Sequence, residues 1–404
     1  MQASDKRWSD IYTDSSIKFA VHVEATTRCN SRCPSCPRFI DSTPITNPAL
    51  VLDEIKIDEF KAWLPPEFLQ QHAECFNFCG NYGDPMMCTD IVEIIEYLVE
   101  NNVLKIALHT NGGMRNKKVW NRLGQLLNQR NRHVVWSVDG LEDTNNLYRR
   151  EVKWKNIVNN IKEFNSTGGY SIHDFLVFKH NEHQVEEVKA FFKSLGVKDT
   201  QIKSPFGMTD ESTQTHHKRS VFDKNGKFTH WLEQADMFRI DNYTDSKAHW
   251  QKDSNIPHME EWMSKRIKEP IAYVPEINYS DKEKTIKQFD YAEDSVVVCK
   301  ALDEYSEIFL NPNGDIVPCC FMGQIISNHQ PVTDIMTREA FKPFSKLNLN
   351  HNSIENILGI IDDKVASKWG CSHAEGRSTT CSTMCGQRKD SPYLSTNLYR
   401  NRAK

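Results

Sequence analysis

The sequence predicts an α/β fold in which six parallel strands alternate with helices. Two observations carry this prediction. Short β-branched and aromatic runs recur through residues 17–205, and each is followed by a stretch with helical apolar spacing. Strands separated by helices cannot pair as hairpins, so they pair in parallel through right-handed crossovers. The resulting sheet closes into a barrel or stays open as a partial one, and in either case the loops after the strands carry the chemistry.

The elements follow in order. "IKFAVHVEAT" (17–26) is the first strand, "DEIKIDEFKAWL" an amphipathic helix and "AECFNFC" the second strand. "TDIVEIIEYLVENN" places Ile91, Ile94, Ile95, Leu98 and Val99 on one helical face, with Thr89 or Asp90 as N-cap. "VLKIALHT" is a strand, "KKVWNRLGQLLNQ" a helix and "HVVWSVD" a strand. Residues 153–165 are helical, "DFLVFKH" is a strand, and "HQVEEVKAFFKSLG" is a helix stopped by Gly196. "TQIKS" is the sixth strand. Residues 206–294 are polar with scattered aromatics and show no clear period, which suggests a bridge or cap; His216 and His217 read as an exposed loop. From residue 295 the composition shifts again, and "VVVCKALDEYSEIFLNPNGDIVPCC" reads as a hairpin turning at "NPNGD". The expected divisions are a polar segment 1–16, the β/α region 17–205, the bridge 206–294 and a C-terminal domain 295–404.

Composition excludes several classes. With 404 residues, 39% hydrophobic and 26% charged, the chain is long enough for two or three globular domains. A net charge of −4 gives no reason to expect nucleic-acid binding. The polar start "MQASDKRWSDIYTDSS" lacks the apolar core of a secretory signal, and no apolar run reaches membrane-spanning length. A cytoplasmic protein is expected, and its 12 cysteines then point to metal binding or catalysis rather than disulfides. Cys75, Cys79 and Cys88 read as small buried hydrophobes.

The densest chemistry is "RCNSRCPSCPRF", with Cys29, Cys33 and Cys36 on the loop after the first strand. Three thiolates can hold three irons of a cubic 4Fe-4S cluster and leave the fourth iron open to an exogenous ligand. Zinc is the weaker reading, because structural zinc takes four closed ligands and no fourth Cys or His follows before His72.

The spacing C-x3-C-x2-C after the first strand of such an alternation resembles the radical S-adenosylmethionine superfamily. Further stretches are similar to that family in order. "CGNYGDP" (79–85) resembles its Gly-Gly-Glu-Pro motif, and "HTNGG" (109–113) its third-strand loop. "WSVDGLEDTNNLYRR" (136–150) resembles the fourth-strand motif and "FKHNEHQ" (178–184) the fifth-strand end. Two positions depart from the family: Ser35 stands where an aromatic usually precedes the third cysteine, and Asp84 where a Glu is usual.

The resemblance implies a partial (β/α)6 TIM-like barrel and an oxidoreductase. It implies that Cys29, Cys33 and Cys36 hold the cluster while S-adenosylmethionine chelates the open iron. Gly83 would admit the methionine moiety closely, Asp84 would accept its ammonium, Asn111 and Ser137 would bond ribose hydroxyls, Asp139 would face the cofactor, and Arg149 would pair the carboxylate. Reductive cleavage to a 5′-deoxyadenosyl radical would abstract a hydrogen atom from substrate, with flavodoxin or ferredoxin as electron donor.

Cys299, Gly314 and Cys319 stand at C-x14-G-x4-C, which resembles the start of the family's SPASM or Twitch extension, and "CSTMCG" resembles its later segment. One auxiliary 4Fe-4S cluster is implied, on Cys299, Cys319, Cys381 and Cys385 with Cys371 as a substitute, while Cys320 packs beside it. A four-thiolate zinc site is the alternative. The substrate reads as a peptide or a small molecule. The rival from another class is a non-catalytic iron-sulfur or zinc protein acting in sensing or binding.

Overall fold

The computed structural model describes residues 5–39, 43–48, 50–205, 218–238, 256–268, 295–326 and 340–387. His216 and His217 lie outside the described residues.

All six expected strands form: β1 Phe19–Val23, β2 Ala73–Phe78, β3 Lys105–Thr110, β4 Arg132–Ser137, β5 Ser171–Leu176 and β6 Thr200–Lys203. Three pairs later in the chain are β7 Lys218–Phe222 with β8 Phe228–Glu233, β9 Val296–Val297 with β12 Gly386–Gln387, and β10 Glu307–Leu310 with β11 Ile316–Val317. One eight-stranded sheet runs in the order β11-β10-β1-β2-β3-β4-β5-β6. Its sequential core is the strand order of a partial (β/α)6 barrel. The hairpin expected at "NPNGD" is present, since β10 and β11 pair antiparallel. It also extends the sheet, because β10 pairs in parallel with β1.

The chain divides into two compact units: residues 1–28, 49–106 and 274–404, and residues 29–48 with 107–273. In the first unit, α1 Trp8–Thr13 forms inside the segment that sequence reads as merely polar. Its anchor is Trp8, which is fully buried and donates Nε1–H to the Glu307 carbonyl at 3.0 Å. Asp362 accepts from the backbone N–H of Trp8 and Ser9, so one acidic side chain ties off the start of the helix. Helices α2 Ile57–Trp63, α3 Pro66–His72 and α4 Ile91–Glu100 follow, and Phe60 packs edge-on against Phe76. Asp90 is the N-cap residue of α4, but its side chain accepts from Ile57 N–H rather than from its own helix.

In the second unit, α5 Lys117–Leu126, the one-turn α6 Asn145–Tyr148, α7 Trp154–Ser166 and α8 Val185–Ser194 alternate with the strands. Trp120, Trp136 and Phe164 form its aromatic centre, all fully buried. Gly196 takes φ +89° just past α8, the left-handed stop that sequence predicts there. The bridge segment carries structure where its sequence shows no period: the β7–β8 hairpin and α9 Ile256–Lys268. A two-stranded ribbon with one covered face leaves too short a pattern to read.

Candidate active site

The three-cysteine loop lies in the second unit and is held by its own backbone. Arg32 N–H donates to the Arg150 carbonyl at 3.0 Å, Cys36 N–H to Cys33, and Phe39 N–H to Cys36. These successive turns hold the three cysteines on one short loop. Cys33 is buried on an apolar shelf of Tyr148, Phe178, Val221 and Leu232, with Cys36 packed against it. Hydrogen-bond donors point at the sulfurs. Ser31 Oγ lies 3.1 Å from Cys33 Sγ, Arg149 Nη1 3.8 Å from the same sulfur, and Asn111 Nδ2 3.8 Å from Cys29 Sγ. Cys33 thus sits between hydrogen-bond donors and an apolar floor that Cys36 shares. This donor set fits a cubic cluster held by three thiolates, and hydrogen bonds to the sulfurs are a lever on its potential.

Asp139 follows β4 with no exposed surface. Its Oδ2 accepts from Arg149 Nε at 2.5 Å and its Oδ1 from Leu176 N–H at 2.7 Å. Asn145 Oδ1 receives the Asp139 N–H, and Asn181 Nδ2 donates to the Asp139 carbonyl. Asp139 is thus gripped at backbone and carboxylate, and its visible work is to orient Arg149. Burial opposes the charge on Arg149, but Asp139 and the Cys33 sulfur hold it well above the usual guanidinium range. Asn111 is buried and also donates to Asn30 Oδ1, while its own Oδ1 accepts from Gly113 N–H. Ser137 ends β4, half-buried, in register with Asp174 of β5.

In the first unit the "CGNYGDP" loop is organised by a buried carboxylate. Glu24, one residue past β1, accepts from the N–H groups of Asn81, Tyr82 and Gly83 at 2.5, 3.1 and 2.8 Å. Burial pushes Glu24 up to about 7 against the pull of these donors. Gly83 passes so close to β1's exit that a Cβ there would lie 1.6 Å from the Thr26 carbonyl oxygen. Only glycine fits. Asp84 is buried; its N–H donates to the Arg28 carbonyl and its carboxylate caps Met86 N–H.

The C-terminal thiols gather in the same unit. Cys299 is the N-cap residue of the helix Lys300–Asp303, Cys319 follows β11, and Cys381 and Cys385 lie one turn apart on the helix Thr379–Cys385. Cys299 donates to the Cys385 sulfur, and this bond, burial, and the nearby Cys381 and Cys319 sulfurs raise it well above the usual thiol range. Burial raises Cys319 as well, with Cys320, Cys381 and Cys385 adding to it. Cys299 is buried and Cys319, Cys381 and Cys385 are half-buried; sulfurs near enough to perturb one another suit a cubic cluster, whose ligands stand on separate irons. Cys371 sits in a turn, its N–H bonded to Lys368.

Residues 23–192 match the family described as the Radical SAM superfamily. No curated protein is significantly similar to the sequence. Solved structures resembling the chain include Streptococcus suis SuiB bound to S-adenosylmethionine. It shares 15% identity at a TM-score of 0.44, over 86% of this chain and 68% of that one. Native anSMEcpe with bound AdoMet has 15% identity and a TM-score of 0.47, over 94% of both chains. BtrN in complex with AdoMet and 2-DOIA has 10% identity and a TM-score of 0.38, over 94% and 98%. No helix among the described residues is long and apolar enough to cross a membrane.

Several residues around these sites escape sequence reasoning. Glu24 looks like an ordinary strand-end acid, and only its position opposite residues 81–83 reveals its role. Tyr148, Asn145 and Asn181 lie inside stretches that do carry the family resemblance, but their partners are distant in sequence. Val221 and Leu232 belong to the β7–β8 hairpin, which leaves no pattern to find. Cys88 is fully buried, as its sequence context suggests, and is pushed up to about 12 by burial. Cys75 and Cys79 are half-buried.

Proposed function

We propose that this chain reductively cleaves S-adenosylmethionine and uses the resulting radical to oxidise or crosslink a peptide or a small molecule. The observation that carries the reading is the three-cysteine loop, with Cys33 and Cys36 on an apolar shelf, Arg149 donating to Cys33 and Asn111 to Cys29. When bound, a 4Fe-4S cluster there supplies the electron that breaks the sulfonium and yields a 5′-deoxyadenosyl radical. The chain's own part is to bind and orient. Cys29, Cys33 and Cys36 hold the cluster. Gly83 leaves room for the methionine moiety and Asp84 accepts its ammonium. Arg149, aimed by Asp139, pairs with its carboxylate, and Ser137 and Asn111 serve the ribose. Flavodoxin or ferredoxin fits as electron donor.

Residues 295–404 are read as a SPASM/Twitch-like domain with one auxiliary 4Fe-4S cluster on Cys299, Cys319, Cys381 and Cys385, Cys371 being the substitute. Mutual perturbation among the first four sulfurs supports that choice. The boundaries 1–16, 17–205, 206–294 and 295–404 belong to the same proposal. Anaerobic reconstitution tests it: about eight irons per chain are expected from two cubic clusters, and about four in the Cys29→Ala, Cys33→Ala, Cys36→Ala triple variant. Iron near four in the wild type, with one tightly held zinc, would reassign the C-terminal thiols to zinc.

A further inference from the structure

Within the first unit a second kind of donor set borders the C-terminal cysteine ligands, since its Cys320 follows Cys319 directly. His22 of β1, Glu307 of β10 and Cys320 each offer one ligand atom, and these atoms lie within 4.8 Å of one another. His22 is 3% and Glu307 7% exposed. Three elements fix them: parallel pairing of β1 and β10, and the helix Cys320–Ile326, whose first carbonyl accepts from Asn81 Nδ2 at 2.8 Å.

The histidine shows what the set is for. His22 Nε2 lies 2.5 Å from the Cys79 carbonyl oxygen, which can only accept, so Nε2 carries a proton. The other nitrogen, Nδ1, is buried without a hydrogen-bond partner and stands 3.5 Å from Glu307 Oε1. A neutral imidazole would therefore aim a lone pair at a buried carboxylate, an arrangement that repels unless a proton or a metal cation stands between them. With no metal the proton is held: against the burial that opposes it, Cys79 and Glu307 raise His22 well above the usual imidazole range. Metal-ligating histidines are held in this way, with the far N–H on a carbonyl and the near nitrogen on the metal. Thiolate, carboxylate and neutral imidazole together carry two negative charges, which a divalent ion balances. Three protein ligands of mixed type with a fourth position open are the pattern of a reactive zinc site rather than a structural one.

We propose that His22 Nδ1, Glu307 and Cys320 bind one borderline-soft divalent cation of the Zn2+ class, leaving a position for water or a substrate heteroatom. The proposal is independent of the radical reading, because it concerns neither set of cluster cysteines.

Zn2+ itself is the probe, added to the full chain after its iron clusters are reconstituted. The expected result is one zinc held against a chromogenic chelator, with X-ray absorption showing a single sulfur and otherwise nitrogen and oxygen neighbours. His22→Ala and Glu307→Gln should weaken it by at least ~100-fold, since even partners outside the ligand shell cost ~10–100-fold, while iron content stays unchanged. If either variant fails to fold, the wild-type absorption spectrum decides alone. Zinc surrounded by four sulfurs, no retained zinc (His22 then being a simple imidazolium paired with Glu307), or full affinity in folded His22→Ala would each overturn the proposal.

Discussion

Arg149 donates Nε to Asp139 Oδ2 at 2.5 Å while its Nη1 reaches to 3.8 Å from Cys33 Sγ. One side chain thus links the acid after β4 to a sulfur of the cluster loop. Asp139→Asn keeps the shape but removes a fully buried counter-charge from a half-buried guanidinium. Breaking a buried pair costs ~3 kcal/mol or more, so urea denaturation should show a loss of that size. A variant as stable as wild type would mean that Arg149 finds its compensation elsewhere.

Asp84 has a structural and a proposed cofactor role that substitution can separate. Asp84→Asn retains an acceptor for Met86 N–H and should fold normally. It loses a charge-assisted bond to the methionine ammonium, worth ~1.5–3 kcal/mol, so S-adenosylmethionine affinity should fall ~10-fold or more. Calorimetry on reconstituted protein checks this, and wild-type affinity in the variant would detach Asp84 from the cofactor.

Gly83→Ala places a methyl group on the Thr26 carbonyl, so the loop must move. Overpacking of this kind costs ~1–3 kcal/mol, and cofactor binding should fall with it. Gly359, within the helix Ile354–Lys364, meets nothing within 4 Å of an added Cβ. Gly359→Ala should therefore stabilise by ~0.5–1 kcal/mol. The two thermal shifts should have opposite signs.

His173 is fully buried, donates Nε2–H to the Val138 carbonyl at 2.7 Å and stacks on Phe192. Burial lowers it to about 3. A histidine depressed in the folded state contributes stability that is present above its unfolded value of ~6.5 and is lost as pH falls toward the folded value. From pH 7 to pH 5 the wild type should lose ~2 kcal/mol more than His173→Gln. Parallel pH profiles would show that His173 is not held neutral.

How much of this is legible in sequence depends on the distance between partners. Strand order and helix faces follow from local periodicity, and the six-strand alternation from β1 to β6 is present as read. The cysteine loop announces itself because its ligands lie within eight residues. What supports it does not: Glu24 meets residues 81–83, Asp139 meets Arg149 and Asn181, and Trp8 meets Glu307 and Asp362. Those pairings exist only after the chain folds. The N-terminal helix is hard to see in sequence because its buried face is only Trp8 and Ile11, too short a run to show a period. The donors His22, Glu307 and Cys320 are spread over most of the chain, beyond any spacing rule.

The central claim is that this chain cleaves S-adenosylmethionine at the Cys29, Cys33 and Cys36 loop. Its most direct test is 5′-deoxyadenosine formed by dithionite-reduced, reconstituted protein, measured beside the triple Cys→Ala variant of that loop. The account predicts 5′-deoxyadenosine from the wild type and none from the variant, with the variant's C-terminal metal retained. Equal cleavage by the two proteins, or none by a wild type carrying its full iron, would contradict it.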